Sequence, residues 1–136
     1  MRVAALVLWC ASACVGVYLL AAWLSHGGLR QQATRVTVFP AGLVFAHPLL
    51  ALTGLALWIA YLLTGAAGLA WTAFAMVCAT ALLGFVMFTR WLGDRTGRHT
   101  RGPEQNFPVA AVALHVAVGL GTFILVLLVA GIASRG

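Results

Sequence analysis

The sequence predicts an all-α membrane protein: a four-transmembrane-helix up-down bundle built from a tandem-duplicated helical hairpin. Three observations predict it. Of 136 residues, 63% are hydrophobic and 7% charged, against about 25% charged in a typical soluble domain, and the mean hydropathy is +1.05. Four apolar runs reach the about 20 residues that a helix needs to cross a bilayer core. The chain also aligns on itself without a gap at an offset of 68 residues. So apolar a chain has no room for a separate soluble catalytic domain, so any chemistry is expected in or at the bilayer.

The elements follow in order. The first run, Val3 to Leu24, lies behind Met1 and Arg2. It is longer than the about 7 to 15 residues of a signal-peptide core, and no short polar cleavage region follows, so it reads as a retained helix. The second, Ala41 to Thr64, opens after Phe39-Pro40, and Gly65-Ala66 makes a tight uncharged turn into the third, Ala67 to Phe88. The fourth, Pro108 to Ile132, opens behind Phe107. Residues 1–136 thus form one integral membrane domain with internal repeats 1–68 and 69–136. At that offset 15 of 68 positions are identical, and scarce types coincide: Cys10 with Cys78, Gly16 with Gly84, Trp23-Leu24 with Trp91-Leu92, Arg30 with Arg98, Phe39-Pro40 with Phe107-Pro108, and His47 with His115. Two crossings per repeat give both copies one orientation, so matched residues share a depth.

The long polar connections, Ser25 to Phe39 and Thr89 to Phe107, fall on one side of the membrane. They hold Arg30, Arg35, Arg90, Arg95, Arg98 and Arg101, against Arg2 and Arg135 on the side of the termini. The positive-inside bias places these loops in the cytoplasm and both termini outside, in a bacterial-type cytoplasmic (inner) membrane. Arg residues flanking apolar runs meet lipid headgroups and set topology, so nucleic acid is not an expected partner. Cys10, Cys14 and Cys78 lie inside apolar segments and read as small buried residues, not a disulfide framework. Trp9, Trp58, Trp71 and Tyr61 read as interface or lipid-facing anchors.

His47 and His115 are each seven residues past the proline that opens their helix, about 10 Å below the long-loop interface. Ionisable residues at such depth face the bundle interior. Gly16 and Gly84 precede Trp23 and Trp91 by seven residues and so reach the same level. Small residues continue around them: Ser12 and Ala13, Thr80 and Ala81, Ala51 and Gly54 after His47, and Gly119 and Thr122 after His115. Two inward imidazoles bordered by small-residue stripes describe a slot for something flat. A haem suits it, with one His on each face of the iron; a tetrahedral zinc site would be half filled. A lone intramembrane His would more simply make a helix-packing hydrogen bond.

With these residues in place, the chain resembles the small four-helix membrane cytochromes b that carry bis-histidine haem b. The resemblance implies one haem b with His47 and His115 as axial metal ligands and Gly16 and Gly84 permitting close approach. Members with two haems need further intramembrane His, whereas His26 and His99 fall in the loops here. Arg30, Arg98, Arg90 and Arg95 lie on the propionate side. The function implied is that of an oxidoreductase passing electrons between a quinol, superoxide or redox partner protein and an acceptor. The reading from another class is a cofactor-free structural or accessory subunit of a larger membrane complex. A carboxylate-driven antiporter is disfavoured because Asp94 and Glu104 both lie in a loop, and no phosphate-binding loop or nucleophile elbow is visible. A reporter fused after Gly136 should therefore be active when it requires export and silent when it requires the cytoplasm; the opposite pattern would invert the orientation.

Overall fold

The computed structural model describes residues 1–33, 36–96 and 102–135. Four helices run Arg2–Ser25 (α1), Ala41–Thr64 (α2), Ala67–Thr96 (α3) and Val109–Ala133 (α4), with short 3₁₀ turns at Arg30–Gln32 and Pro103–Asn106. No strand occurs among the described residues. All four helices are long and apolar enough to cross a membrane, where a helix satisfies every backbone group internally. Pro40 and Pro108 precede α2 and α4 in extended conformation, giving no N–H but accepting from the first turn: Val44 N–H meets the Pro40 carbonyl and Val112 N–H that of Pro108, both at 3.1 Å. Gly65 ends α2 in the left-handed region (φ 72°), its N–H on the Tyr61 carbonyl at 2.8 Å, and so makes the sharp turn into α3.

The third helix continues past Phe88 to Thr96. The end of an apolar run marks the edge of the hydrocarbon, not the end of a helix. No proline interrupts Thr89 to Thr96, and the Arg95 guanidinium lies 5.0 Å over the Trp91 ring.

Sequence neighbours are antiparallel. α2 packs along α3 and α1 along α4, and α1–α2 and α3–α4 contacts close the ring. Two hydrophobic clusters hold it, one at each end. At the end of the termini and the Gly65 turn are Ala5, Trp9, Trp58, Tyr61, Ala70, Ala73, Val77, Val126, Val129 and Ala130. At the long-connection end are Trp23, Phe39, Val44, Trp91, Phe107 and Val112, which are three pairs of residues 68 apart. Four such pairs recur in the first cluster: Ala5 with Ala73, Trp9 with Val77, Trp58 with Val126 and Tyr61 with Val129.

Trp9, Trp58 and Tyr61 are thus core residues rather than lipid-facing anchors, and of that set only Trp71 is exposed. The Trp58 indole N–H reaches the Arg2 carbonyl at 3.4 Å, which lets a large amphipathic ring be buried. The cysteines differ from expectation in the other direction. Cys10 and Cys14 face outward and Cys78 is half-buried, an orientation lipid tolerates for so small and apolar a side chain.

The connections form a cap organised by Glu104, which is fully buried. Its carboxylate accepts from the Thr37 hydroxyl at 2.9 Å and from the Val38 N–H at 2.8 Å, while its backbone carbonyl accepts from the Trp91 indole at 3.1 Å. Gln32 spans the first connection: its amide donates to the Phe39 carbonyl at 2.8 Å, and its oxygen accepts from Ala41 N–H at 3.2 Å, at the start of α2. Gln105 also donates to Asp94 at the end of α3. Glu104→Ala would strand the Thr37 and Val38 donors, a loss of about 1–3 kcal/mol for each buried group left unpaired. It should lower the unfolding temperature in detergent well below that of the wild type, and an unchanged transition would show that Glu104 is not the tie between the connections.

Candidate functional site

Between the two clusters lies a layer in which burial is only partial. None of residues 10–22 of α1, 45–53 of α2, 78–90 of α3 or 113–121 of α4 is fully buried. That is about 20 Å of α1 and α3 and about 13 Å of α2 and α4 at 1.5 Å per residue. Helix bundles ordinarily bury a side chain from each helix about once per turn. In this layer the small residues leave every side chain at least partly accessible.

His47 and His115 face each other in this layer, ring centroids 6.1 Å apart and planes at 65°. Each is held by the helix it packs against. The His47 Nδ1 lies 3.1 Å from the Thr80 carbonyl oxygen, and the His115 Nδ1 lies 3.0 Å from that of Ser12. A carbonyl can only accept, so both Nδ1 atoms carry the proton, and each neutral ring is left with its Nε2 lone pair. Neither Nε2 has a hydrogen-bond partner among the described residues. One turn beyond each acceptor is a glycine. A Cβ on Gly84 would stand 3.0 Å from the His47 Cε1, and one on Gly16 would stand 3.1 Å from that of His115. These glycines let the rings approach the facing backbone closely enough to bond.

The other residues anticipated around the slot divide. Ala51 and Gly119 lie in the histidine layer, half-buried. Gly54 lies beneath it, where a Cβ would come within 2.8 Å of the Trp9 ring and 2.9 Å of Met76 Cβ, so its space is already taken by core packing. Thr122 is buried at the same lower level, with its hydroxyl on the Val118 carbonyl at 2.9 Å. Arg90 reaches from α3 to the Val38 carbonyl at 3.1 Å. Arg30 is exposed and folds toward Gly27. Arg98 and His99 lie outside the described residues. His26 closes α1, its Nδ1 2.7 Å from the Ala22 carbonyl oxygen, away from the paired histidines.

Sequence reasoning counted Ser12 and Thr80 as small spacers and missed that their carbonyls receive the imidazoles. A backbone carbonyl leaves no mark of its own in the sequence; only the placement matches, a hydroxyl residue four positions before the level glycine in each half of the chain. Among the described residues no group of three or more His, Cys, Asp or Glu is placed to hold a metal ion by itself. What the arrangement offers is two neutral nitrogen donors on rings 6.1 Å apart between centroids, bordered by small residues.

Gly84→Leu or Gly16→Leu should push the imidazole off its carbonyl and cost about 1–3 kcal/mol, the usual range for overpacking. Gly68→Leu, whose Cβ would meet nothing within 4 Å, should melt like the wild type in the same detergent; equal losses at Gly68 and Gly84 would deny the close approach its importance. No family model, curated protein or solved structure matches the chain.

Proposed function

We propose that the chain is a membrane-bound mono-haem b electron-transfer protein, ligated axially by His47 and His115. The observation that carries the reading is the pair of neutral imidazoles with unpartnered Nε2 atoms in a layer where no side chain is fully buried. The two rings stand 6.1 Å apart between centroids, and His47 and His115 are the residues that would hold the iron. The macrocycle itself supplies the remaining iron ligands, so a cluster of three or more protein donors is not required. Matched burial and matched histidine contacts at residues 68 apart support the view that the chain is a duplicated hairpin.

When bound, haem b would supply one-electron iron chemistry, and with His47 and His115 both holding it, outer-sphere transfer would be favoured over oxygen activation. The protein residues do the rest. His47 and His115 hold the group, and their Nδ1–H bonds to Thr80 and Ser12 fix ring orientation and strengthen the nitrogens as donors. Gly16 and Gly84 permit the approach, and the two aromatic-rich clusters exclude water above and below. Arg90 keeps further guanidinium donors beyond the one on Val38, suited to a propionate, and Arg30 and Arg98 are the other cations assigned to that side. The level of the pair, about 10 Å from the long-connection interface, favours exchange there with a quinol, superoxide or redox partner protein, on the cytoplasmic face of a bacterial-type inner membrane.

The accessory-subunit reading draws on the same bonds, because they tie α2 to α3 and α1 to α4. It leaves both Nε2 atoms without a purpose.

Protein expressed with ample haem should purify with a sharp Soret band and narrow α and β bands on reduction. His47→Ala and His115→Ala should each lose most of the bound haem, while His26→Ala retains it. Colourless wild-type protein would remove the redox reading and leave the accessory subunit.

A further inference from the structure

The two histidines are related by the 68-residue offset, yet their surroundings differ. The His115 Nδ1 has two acceptors on Ser12, the carbonyl at 3.0 Å and the hydroxyl oxygen at 3.4 Å. The His47 Nδ1 has only the Thr80 carbonyl, at 3.1 Å, while the Thr80 hydroxyl oxygen is buried with no partner. Position 12 is serine where position 80 is threonine, and the added methyl restricts χ1. The Ser12 hydroxyl also lies beside Gly119, where a Cβ would be 3.7 Å away, and the matching position in the other half is Ala51. The asymmetry is therefore written into the sequence at two positions beside the pair.

We infer that the Ser12 hydroxyl is a positioning group that makes His115 the stronger of two unequal axial donors; this rests on the haem reading. An N–H shared between two acceptors is more polarised, and its ring gains imidazolate character and donates more strongly through Nε2. A stronger axial donor stabilises the oxidised iron and lowers the reduction potential. His47, with one acceptor, is the weaker donor. The orphaned Thr80 hydroxyl contributes nothing through this route.

The test pairs Ser12→Ala with Thr80→Val in two measurements. In haem-loaded protein, redox titration should show a higher midpoint potential for Ser12→Ala and the wild-type value for Thr80→Val. In haem-free protein carrying ¹⁵N-histidine, Ser12→Ala should move the His115 Nδ1 resonance and leave that of His47 in place. An unmoved potential in Ser12→Ala, or an equal shift in Thr80→Val, would overturn the inference. Failure to load haem at all would overturn the function proposed above, and the nitrogen resonance alone would then decide the role of Ser12: an unmoved His115 signal would end it.

Discussion

An imidazole placed in hydrocarbon must rest its N–H on an acceptor, and in a membrane bundle the acceptors within reach are the carbonyls of a neighbouring helix. The bonds from His47 to Thr80 and from His115 to Ser12 meet that demand, and much else follows from them. They choose the tautomer, leave Nε2 free, and require glycine one turn further along the facing helix. They also set which helices pair closely, α2 with α3 and α1 with α4. Bulk at Gly16 or Gly84 would therefore disturb the ring orientation and the helix pairing together.

The bundle divides its labour along its length. Trp9, Trp58 and Tyr61 fill one end, Trp23, Trp91, Phe39 and Phe107 fill the other, and Glu104 ties the two long connections across that second end. Between these ends the small residues beside His47 and His115 leave no side chain fully buried, and the helices meet there through the two imidazole–carbonyl bonds.

How much could be read from the sequence depended on the kind of signal. Hydropathy marked all four helices, and Gly65 and the two Phe-Pro pairs marked their turns, because bilayer thickness and backbone chemistry leave few alternatives. The histidine pair emerged from the 68-residue offset, at which two scarce residues coincide. The end of α3 did not, because the run of polar residues after Phe88 reports the edge of the hydrocarbon and is silent about helix continuation. Gly54 looked like a slot residue by spacing, and only packing reveals that the Trp9 ring occupies its space. Glu104 read only as a loop carboxylate; its burial depends on Thr37 and Val38, 67 and 66 positions away in the chain, and nothing local announces it. The two backbone carbonyls were invisible for a simpler reason, that every residue has one.

The central claim is that a single iron is bound between His47 and His115. Electron paramagnetic resonance of the oxidised, haem-loaded protein with ¹⁵N-labelled histidine tests it most directly. The account predicts one low-spin iron per chain coupled to two histidine nitrogens, with one coupling lost in each of the two histidine variants that still retains any haem. A high-spin signal from the wild type, coupling to a single histidine, or couplings that persist when His47 or His115 is replaced would contradict it.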